Sequence, residues 1–300
     1  SSINNEENAD TYTPPIGAVV SQTRLASGRV QNAREQSLVV RVENLKPGKQ
    51  RAIFKTQNTA LDLLKYSNVR MFTHLHGELR DGTNLAVLPI EEGREKVRLF
   101  IRIGANESND YYEYEQPLTP SRETSGSSDA LWATAVDYLG EIQDLNSVNI
   151  DLGALNQLKV ARDRLAFPPD SVFYNVRGDS LSSPDSPDAS EFAPPGTRLG
   201  IKGTPSLGRV NSIVIGVRNP ADSSSTSFDD ELEDVIVWVN ELRVAGYDET
   251  NGWAGLANMD LELADFGRIK ASFQRQSDGF GSLSSTLGDR DQNSLNNWSV

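Results

Sequence analysis

The sequence predicts a mainly β protein: an antiparallel β-sandwich of jelly-roll type with a few short helices. Three observations predict this class. About eight segments alternate apolar and polar residues over the length of a strand, with turn residues between them. Two later segments, 212–217 and 235–239, are nearly continuous apolar runs, which is typical of strands that are covered on both faces. Helical periodicity is confined to short segments.

The chain is expected to have three parts. Residues 1–30 are polar and show no sustained periodicity, so they are expected to be a linker or N-terminal arm. Residues 31–247 carry the strand patterns of the predicted sandwich domain, with Ser/Pro-rich loops at 182–196 and 221–230. Residues 248–300 are predicted to be a β-hairpin segment.

The strands of the sandwich are predicted in order from the alternation of side chains. The first occupies 37–43, a later one 69–75, and the clearest one 96–104, where every second residue is aliphatic. The tyrosine-rich segment 110–116 is expected to pair with it. Between these strands and the later apolar runs, a helix is predicted at 130–142.

The C-terminal part contains the pattern of a hairpin. Pairing Leu263 with Ile269 and Met259 with Phe273 puts apolar residues on one face and polar residues on the other. The connection that remains is a three-residue loop at 265–267, which ends in glycine. One register satisfies both faces, so the sequence predicts a hairpin here.

The apolar face of this hairpin extends back to an aromatic residue. The resulting strand has about eleven residues, near the length and aromatic girdle of a membrane-barrel strand. An ordinary hairpin packed on the sandwich is the alternative. The candidate lipid-facing residues are Trp253, Met259, Leu261, Leu263, Ile269 and Phe273.

Composition limits the classes of function. The formal net charge is -13, from 42 acidic and 29 basic residues, and no cluster of five or more Lys or Arg is present. Nucleic acid is therefore not expected as a partner, because a polyanion is repelled by such a surface. No stretch approaches the roughly 20 consecutive apolar residues of a membrane-spanning helix. Cysteine is absent, which removes disulfides and thiolate sites.

Catalytic signatures are missing from the sequence: it has no phosphate-binding glycine motif, no GxSxG and no HExxH. We therefore expect no enzyme, no cofactor and no metal. His74 and His76 share a face of a predicted strand, where a third ligand would complete a metal site; the alternative is two solvent-facing histidines. The acidic run 229–234 lacks the spacing of a calcium loop and favours a solvated loop.

Tyr112 and Tyr114 are candidates for a ligand platform, because exposed tyrosine rings on a sandwich stack on sugars. The alternative is that both residues fill one face of the sheet through ordinary β-propensity. These residues carry the second hypothesis for the chain, which is a carbohydrate-binding-like β-sandwich module of a surface or secreted protein.

A series of segments resembles one known family in order and spacing. The segments are EQSLVVRV at 35–42, FIRIG at 100–104, DYYEYE at 110–115, PSLGRV at 205–210, IGVRNP at 215–220, VWVNELR at 237–243, DETNGWA at 248–254, LADFG at 263–267 and GFGS at 279–282. Over roughly residues 33–285 they are similar to the SprA/Sov family, the outer-membrane translocon of the Bacteroidetes type IX secretion system, first named for gliding motility.

The resemblance implies that the sequence is a piece of a much longer chain. Family members form a very large β-barrel in the outer membrane, with sandwich-like domains between groups of strands. Folded cargo proteins with a C-terminal signal pass through it and leave towards a partner barrel, PorV, and a plug protein closes the empty pore. The hairpin is then expected to turn its apolar face to outer-membrane lipid and Asp260, Glu262 and Lys270 to the lumen. The family motif names no catalytic residues.

Overall fold

The structure, a computed structural model, divides the chain into two compact units, Ser1–Gly246 and Tyr247–Val300. The loop predicted at 182–196 lies, except for its last residue, outside the described part of the chain. The structure describes residues 1–15, 18, 22–24, 30–32, 35–121, 131–132, 134–136, 142–176, 196–225, 227, 230–247, 252–277, 280 and 294–299.

The described chain is mainly β, as predicted. Two α-helices occur, α1 at Ile90–Lys96 and α2 at Leu152–Arg164, with short 3-10 turns at Leu85–Val87 and Ala264–Phe266. The strands β1 to β18 are, in order, Ser2–Asn4, Gln22–Arg24, Val30–Asn32, Gln36–Leu45, Gln50–Leu61, Tyr66–Leu79, Arg98–Gly104, Tyr111–Pro117, Thr134–Val136, Ile142–Asp144, Val148–Asp151, Phe173–Val176, Arg198–Lys202, Val210–Arg218, Leu232–Tyr247, Ala254–Glu262, Arg268–Gln276 and Leu295–Ser299.

The first unit is a sandwich of two sheets with jelly-roll topology. One sheet has the order β1-β4-β15-β6-β11 and the other β12-β13-β8-β7-β14-β5. If β4, β5, β6, β7, β8, β11, β14 and β15 are counted as strands one to eight, the sheets read one-eight-three-six and two-seven-four-five. This is the alternation of a double Greek key, and it confirms the predicted fold class.

The core lies between the two sheets. In β7, Leu99, Ile101 and Ile103 are at most 3% exposed, which confirms the inward face that the alternation predicts. Val235 and Val237 of β15 belong to the same core cluster from the opposite sheet. The regular alternation therefore places the two apolar faces against each other.

The outer face of the second sheet is covered as well. Phe100 lies on the outward face of β7, as period two predicts, and it is nevertheless fully buried. Its ring lies over Gly216 of the neighbouring strand, where an added Cβ would come within 2.2 Å of the ring. Only glycine leaves room for the ring, which explains why an aromatic residue on the outer face is dry.

The helix predicted at 130–142 is contradicted at Thr134–Val136, where the structure has strand β9. This strand pairs antiparallel with β10, which begins at the last residue of the predicted helix; residues 130, 133 and 137–141 lie outside the described part of the chain. Thr134 and Val136 are β-branched and favour strand over helix. A helix of three turns forms instead at α2, where Asp151 caps the first turn by accepting from the amides of Gly153 at 2.8 Å and Ala154 at 3.1 Å.

The linker predicted for residues 1–30 differs from the structure over residues 1–15. Strand β1 pairs with β4, and Tyr12 is only 2% exposed. The Tyr12 hydroxyl bonds the carboxylate of Glu35 at 2.5 Å and the hydroxyl of Ser37 at 2.9 Å. A single buried aromatic ring with satisfied polar atoms thus fixes a polar segment to the sandwich.

Candidate functional surfaces

The C-terminal sheet contains the predicted hairpin, in a register two residues away from the predicted one. Strands β16, β17 and β18 lie in that order and pair antiparallel. Leu261 pairs with Ile269, because a 3-10 turn at Ala264–Phe266 makes the connection longer than three residues. The amide of Leu263 donates to the carbonyl of Gly267 at 2.8 Å and closes this turn. Since the shift is even, each side chain keeps its predicted face.

One face of this sheet is apolar and exposed. Met259 and Leu261 of β16 lie on the same face as Ile269 and Phe273 of β17. The exposed fractions of the six candidate lipid-facing side chains lie between 39% and 53%. We call this surface the apolar face; the six candidates are Trp253, Met259, Leu261, Leu263, Ile269 and Phe273.

Trp298 is a member of the apolar face that the sequence pattern missed. It pairs with Phe273 across β17 and β18, and 78% of it is exposed. The five residues of β18 are too few for a periodic pattern to be recognised. The tryptophan itself was the one signal in this segment that an apolar face could be present.

The opposite face of the C-terminal sheet carries charged and polar side chains together with the exposed Leu256 and Leu295. The carboxylate of Asp260 accepts two hydrogen bonds from the Arg268 guanidinium, at 2.8 and 3.0 Å. Lys270 lies 3.5 Å from the same carboxylate. The sheet is therefore two-faced, with ion pairs on one side and exposed apolar side chains on the other.

A histidine and tryptophan cluster lies on the outer face of the first sheet of the sandwich. His74 is fully buried and stacks on Trp238 with ring centroids 4.0 Å apart. Its Nδ1 contacts the carbonyl oxygen of Leu131 and must carry the proton, so Nε2 accepts from Nδ1 of His76, 2.6 Å away. Burial lowers the pKa of His74 to about 3. The alternative of two solvent-facing histidines is therefore wrong for His74.

An ionic layer lies on the outer face of the second sheet. Glu113 and Glu115 are fully buried. Glu115 accepts from Arg98 Nε at 2.5 Å and Arg198 Nη2 at 2.9 Å, and Glu113 accepts from Arg102 Nε at 2.7 Å. Bonds of this kind are about twice as strong as neutral ones, which offsets the cost of removing the carboxylates from water.

Arg218 joins the two halves of this ionic layer. Its guanidinium donates to the carboxylates of both Glu113 and Glu115, and it lies 5.1 Å from the centroid of the Phe100 ring. The four guanidinium groups face two carboxylates, so the layer is locally cationic within an acidic chain.

Tyr112 and Tyr114 lie in the core of the sandwich and not on its surface. Their exposed fractions are 1% and 2%, and the Tyr114 hydroxyl donates to Gln116 Oε1 at 2.6 Å. Burial raises the pKa of Tyr112 to about 12. Neither ring presents a face on which a sugar could stack, so the ligand-platform hypothesis is not retained.

Three carboxylates of the acidic run at 229–234 pair with basic residues. Arg80 pairs with Glu231, Lys96 lies 3.6 Å from Asp230, and Arg41 forms two hydrogen bonds with Asp234. Side-chain bonding to Arg41 lowers the pKa of Asp234. From Leu232 the predicted solvated loop is therefore replaced by the start of strand β15, and Asp230, Glu231 and Asp234 are paired.

Among the described residues, no group of three or more His, Cys, Asp or Glu side chains is placed to hold a metal ion. Within the same part of the chain, none of the helices has the length and apolar character that crossing a membrane requires.

The comparison with protein families gives one match, and it extends over the whole chain. The family model SprA_N, described as motility related/secretion protein, matches residues 1–300. No curated protein matches the chain.

Proposed function

The chain belongs to the SprA_N family of motility-related and secretion proteins, and from this premise we propose that it is a structural part of a protein-conducting channel. The channel is the outer-membrane translocon of type IX secretion, which exports folded cargo proteins and supports gliding motility. In this role the chain contributes to the shape of the channel, which binds and guides its cargo without a chemical reaction.

The apolar face of the C-terminal sheet carries this proposal. An exposed apolar surface of this extent is unusual on a water-facing sheet, and it marks contact with a membrane or another protein. Its strands alternate apolar and polar side chains, and Trp253, Phe273 and Trp298 lie towards the end of the sheet away from the turn; alternation and interfacial aromatic residues are typical of barrel strands. We propose that lipid covers the apolar face and that Asp260, Glu262 and Lys270 face the lumen.

We propose that the sandwich is a rigid domain of the channel. Its two sheets pack on one apolar core, and an ionic layer joins neighbouring strands of the second sheet. We propose that its neighbours are the remainder of the translocon chain, a PorV-like partner barrel, a plug protein and cargo with a C-terminal signal. An acidic surface with a net charge of -13 would disfavour hydrophobic adhesion of passing cargo.

Site-directed spin labelling of the full-length protein in outer-membrane vesicles tests the proposal. The segment contains no cysteine, so labels at Met259→Cys and, as a control on the opposite face, Asn258→Cys introduce its first thiols. We expect the label at 259 to collide with lipid-soluble oxygen and the label at 258 with a water-soluble nickel complex. Equal access of the nickel complex to both labels would contradict a lipid-facing sheet.

A secretion assay separates the channel from other membrane proteins. Met259→Lys with Phe273→Lys places two charges on the apolar face, each costing about 2–4 kcal/mol if it lies at mid-membrane. We expect cargo to accumulate inside the cells. The same lysines at Asn258 and Ser272, on the polar face, serve as the control. Normal cargo export by the apolar-face variant, at a normal level of the protein, would overturn the channel role of this sheet.

A further inference from the structure

Within the described part of the chain, β5 is an edge strand of the second sheet and pairs on one side only. The order of the second sheet places β5 at its end, where β14 is its one neighbour within the described part of the chain. All of its residues are exposed except Gln57, which is half-buried. A free strand edge presents a row of amide N–H and C=O groups, to which an extended peptide can add as a further strand.

A cleft opens between the two sheets near this edge. Its volume is about 280 Å³, and Ile215, which contributes to its wall, is the cross-strand partner of Ile53 in β5. The cleft thus reaches the row of residues that ends at the free edge. Its apolar lining consists of Leu38, Met71, Ile215, Val239 and Leu242.

Ile53 ends a row of isoleucines that crosses the second sheet. Ile101 pairs with Ile215, and Ile215 pairs with Ile53. Ile101 is fully buried, whereas 39% of Ile53 is exposed, so the row ends in an apolar side chain that is only partly covered. An apolar residue on an added strand, opposite Ile53, would continue the row and cover it.

Two cations flank Ile53 on the same face of β5. Arg51 and Lys55 each lie two residues away, and side chains two apart share a face of a strand. Neither forms an ion pair with a carboxylate of the described residues; Arg51 donates only to the carbonyl of Gln50, at 3.3 Å. Charges that point inward from an edge strand prevent pairing with strands that carry no matching charge.

We propose that the free edge of β5 binds an extended peptide segment with the pattern acidic–x–apolar–x–acidic. The apolar residue lies opposite Ile53, and the two acidic residues lie opposite Arg51 and Lys55. The backbone bonds supply the pairing, and the side chains supply the selectivity. This binding surface goes beyond the proposed channel role and does not depend on where the C-terminal sheet lies.

Fluorescence anisotropy with the 300-residue chain tests this proposal. The probe is a labelled ten-residue peptide with Glu-Thr-Val-Thr-Glu at its centre, and the control peptide has the same residues in shuffled order. We expect saturable binding of the probe and at least roughly tenfold weaker binding of the shuffled peptide, since two ion pairs and one apolar contact are lost. Equal binding of the two peptides would overturn the proposal.

A charge reversal on the protein tests the same contacts from the other side. Arg51→Glu with Lys55→Glu should weaken binding of the probe at least roughly tenfold and create a preference for a Lys-Thr-Val-Thr-Lys peptide. Arg70→Glu with Arg209→Glu changes the net charge equally on exposed residues outside β5 and should leave binding unchanged. An equal loss in both double variants would mean that net charge alone binds the peptide, against the proposal.

The backbone contribution has its own test. Methylating alternate amides of the probe removes hydrogen-bond donors from one edge of the extended peptide at a time. We expect one methylation phase to abolish binding and the other to leave it within about twofold. Binding that survives both phases would exclude strand addition.

Discussion

The sandwich and the C-terminal sheet are built from the same kind of alternating strand, but they cover their apolar faces differently. In the sandwich, Ile101 is fully buried between two sheets. In the C-terminal sheet, Met259 and Phe273 are about half exposed, and Trp298 is more exposed still. Alternation therefore determines that a strand has an apolar face, whereas the burial of that face depends on whether another sheet packs on it.

Among single substitutions, we expect Trp238→Ala to lower the stability most and Trp298→Ala to change it little. Trp238→Ala removes a ring that is 4% exposed and stacks on His74 in the sandwich, and it should lower the free energy of unfolding by about 3–5 kcal/mol. Trp298→Ala in the C-terminal sheet should change it by less than about 0.5 kcal/mol. Urea unfolding followed by circular dichroism measures both. Similar losses would show that the C-terminal sheet buries Trp298 in solution.

The next effect concerns the ionic layer. Glu115→Gln leaves the guanidiniums of Arg98, Arg198 and Arg218 without a charged partner, and it should cost about 3 kcal/mol. Glu43→Gln alters a carboxylate whose side chain is 59% exposed beside Arg41, and it should cost less than about 1 kcal/mol. The same unfolding experiment applies. If Glu115→Gln lowered the free energy of unfolding as little as Glu43→Gln does, the ionic layer could not be buried away from water.

Alanine substitutions of one glycine in each unit test how closely the two sheets are packed. Gly216→Ala places a methyl group against the Phe100 ring and should cost about 2 kcal/mol. Gly255→Ala in β16 meets one atom only, of Trp253, at 3.8 Å, so it should be neutral or slightly stabilising. Thermal unfolding of both variants measures these changes in stability. An unchanged stability of Gly216→Ala would mean that the Phe100 ring is free to move.

The smallest effect depends on pH. Because burial holds the pKa of His74 near 3, the unfolded chain binds more protons than the folded one between pH 6.5 and 3. Stability is complete above pH 6.5 and falls as the pH decreases, by about 1 kcal/mol between pH 6.5 and 5.5. His74→Gln should reduce this slope. A wild-type stability that stays flat over this range would exclude a neutral, buried His74.

Much of the fold could be predicted, because alternation and turn residues are local properties. The inward face of β7 and its pairing with β8 followed from period two alone. The helix predicted at 130–142 failed because tertiary pairing decides such short segments. Residues 1–15 looked like a linker because their attachment consists of a three-residue strand and the buried Tyr12, which give no periodic pattern.

The candidate surfaces were harder to predict, because they depend on contacts between distant residues. The apolar face was found, since an even register shift preserves the faces of a hairpin. The burial of Phe100 depends on Gly216, far away in sequence, and for Tyr112 the sequence left a surface platform and a place within the sheet both open. Nothing in a single strand shows that its outer face will be covered by arginine and glutamate from four neighbouring strands.

The pairing of β4 with β15 affects how the protein reaches its folded state. Arg41 and Asp234, which bond across these strands, are 193 positions apart in the chain. Strand β15, which pairs with β4 in the first sheet, is therefore synthesised long after β4. Until it arrives, apolar strand edges remain open, and non-local pairings of this kind form slowly. Unpaired strand edges and exposed apolar surface make a partly synthesised chain prone to aggregation.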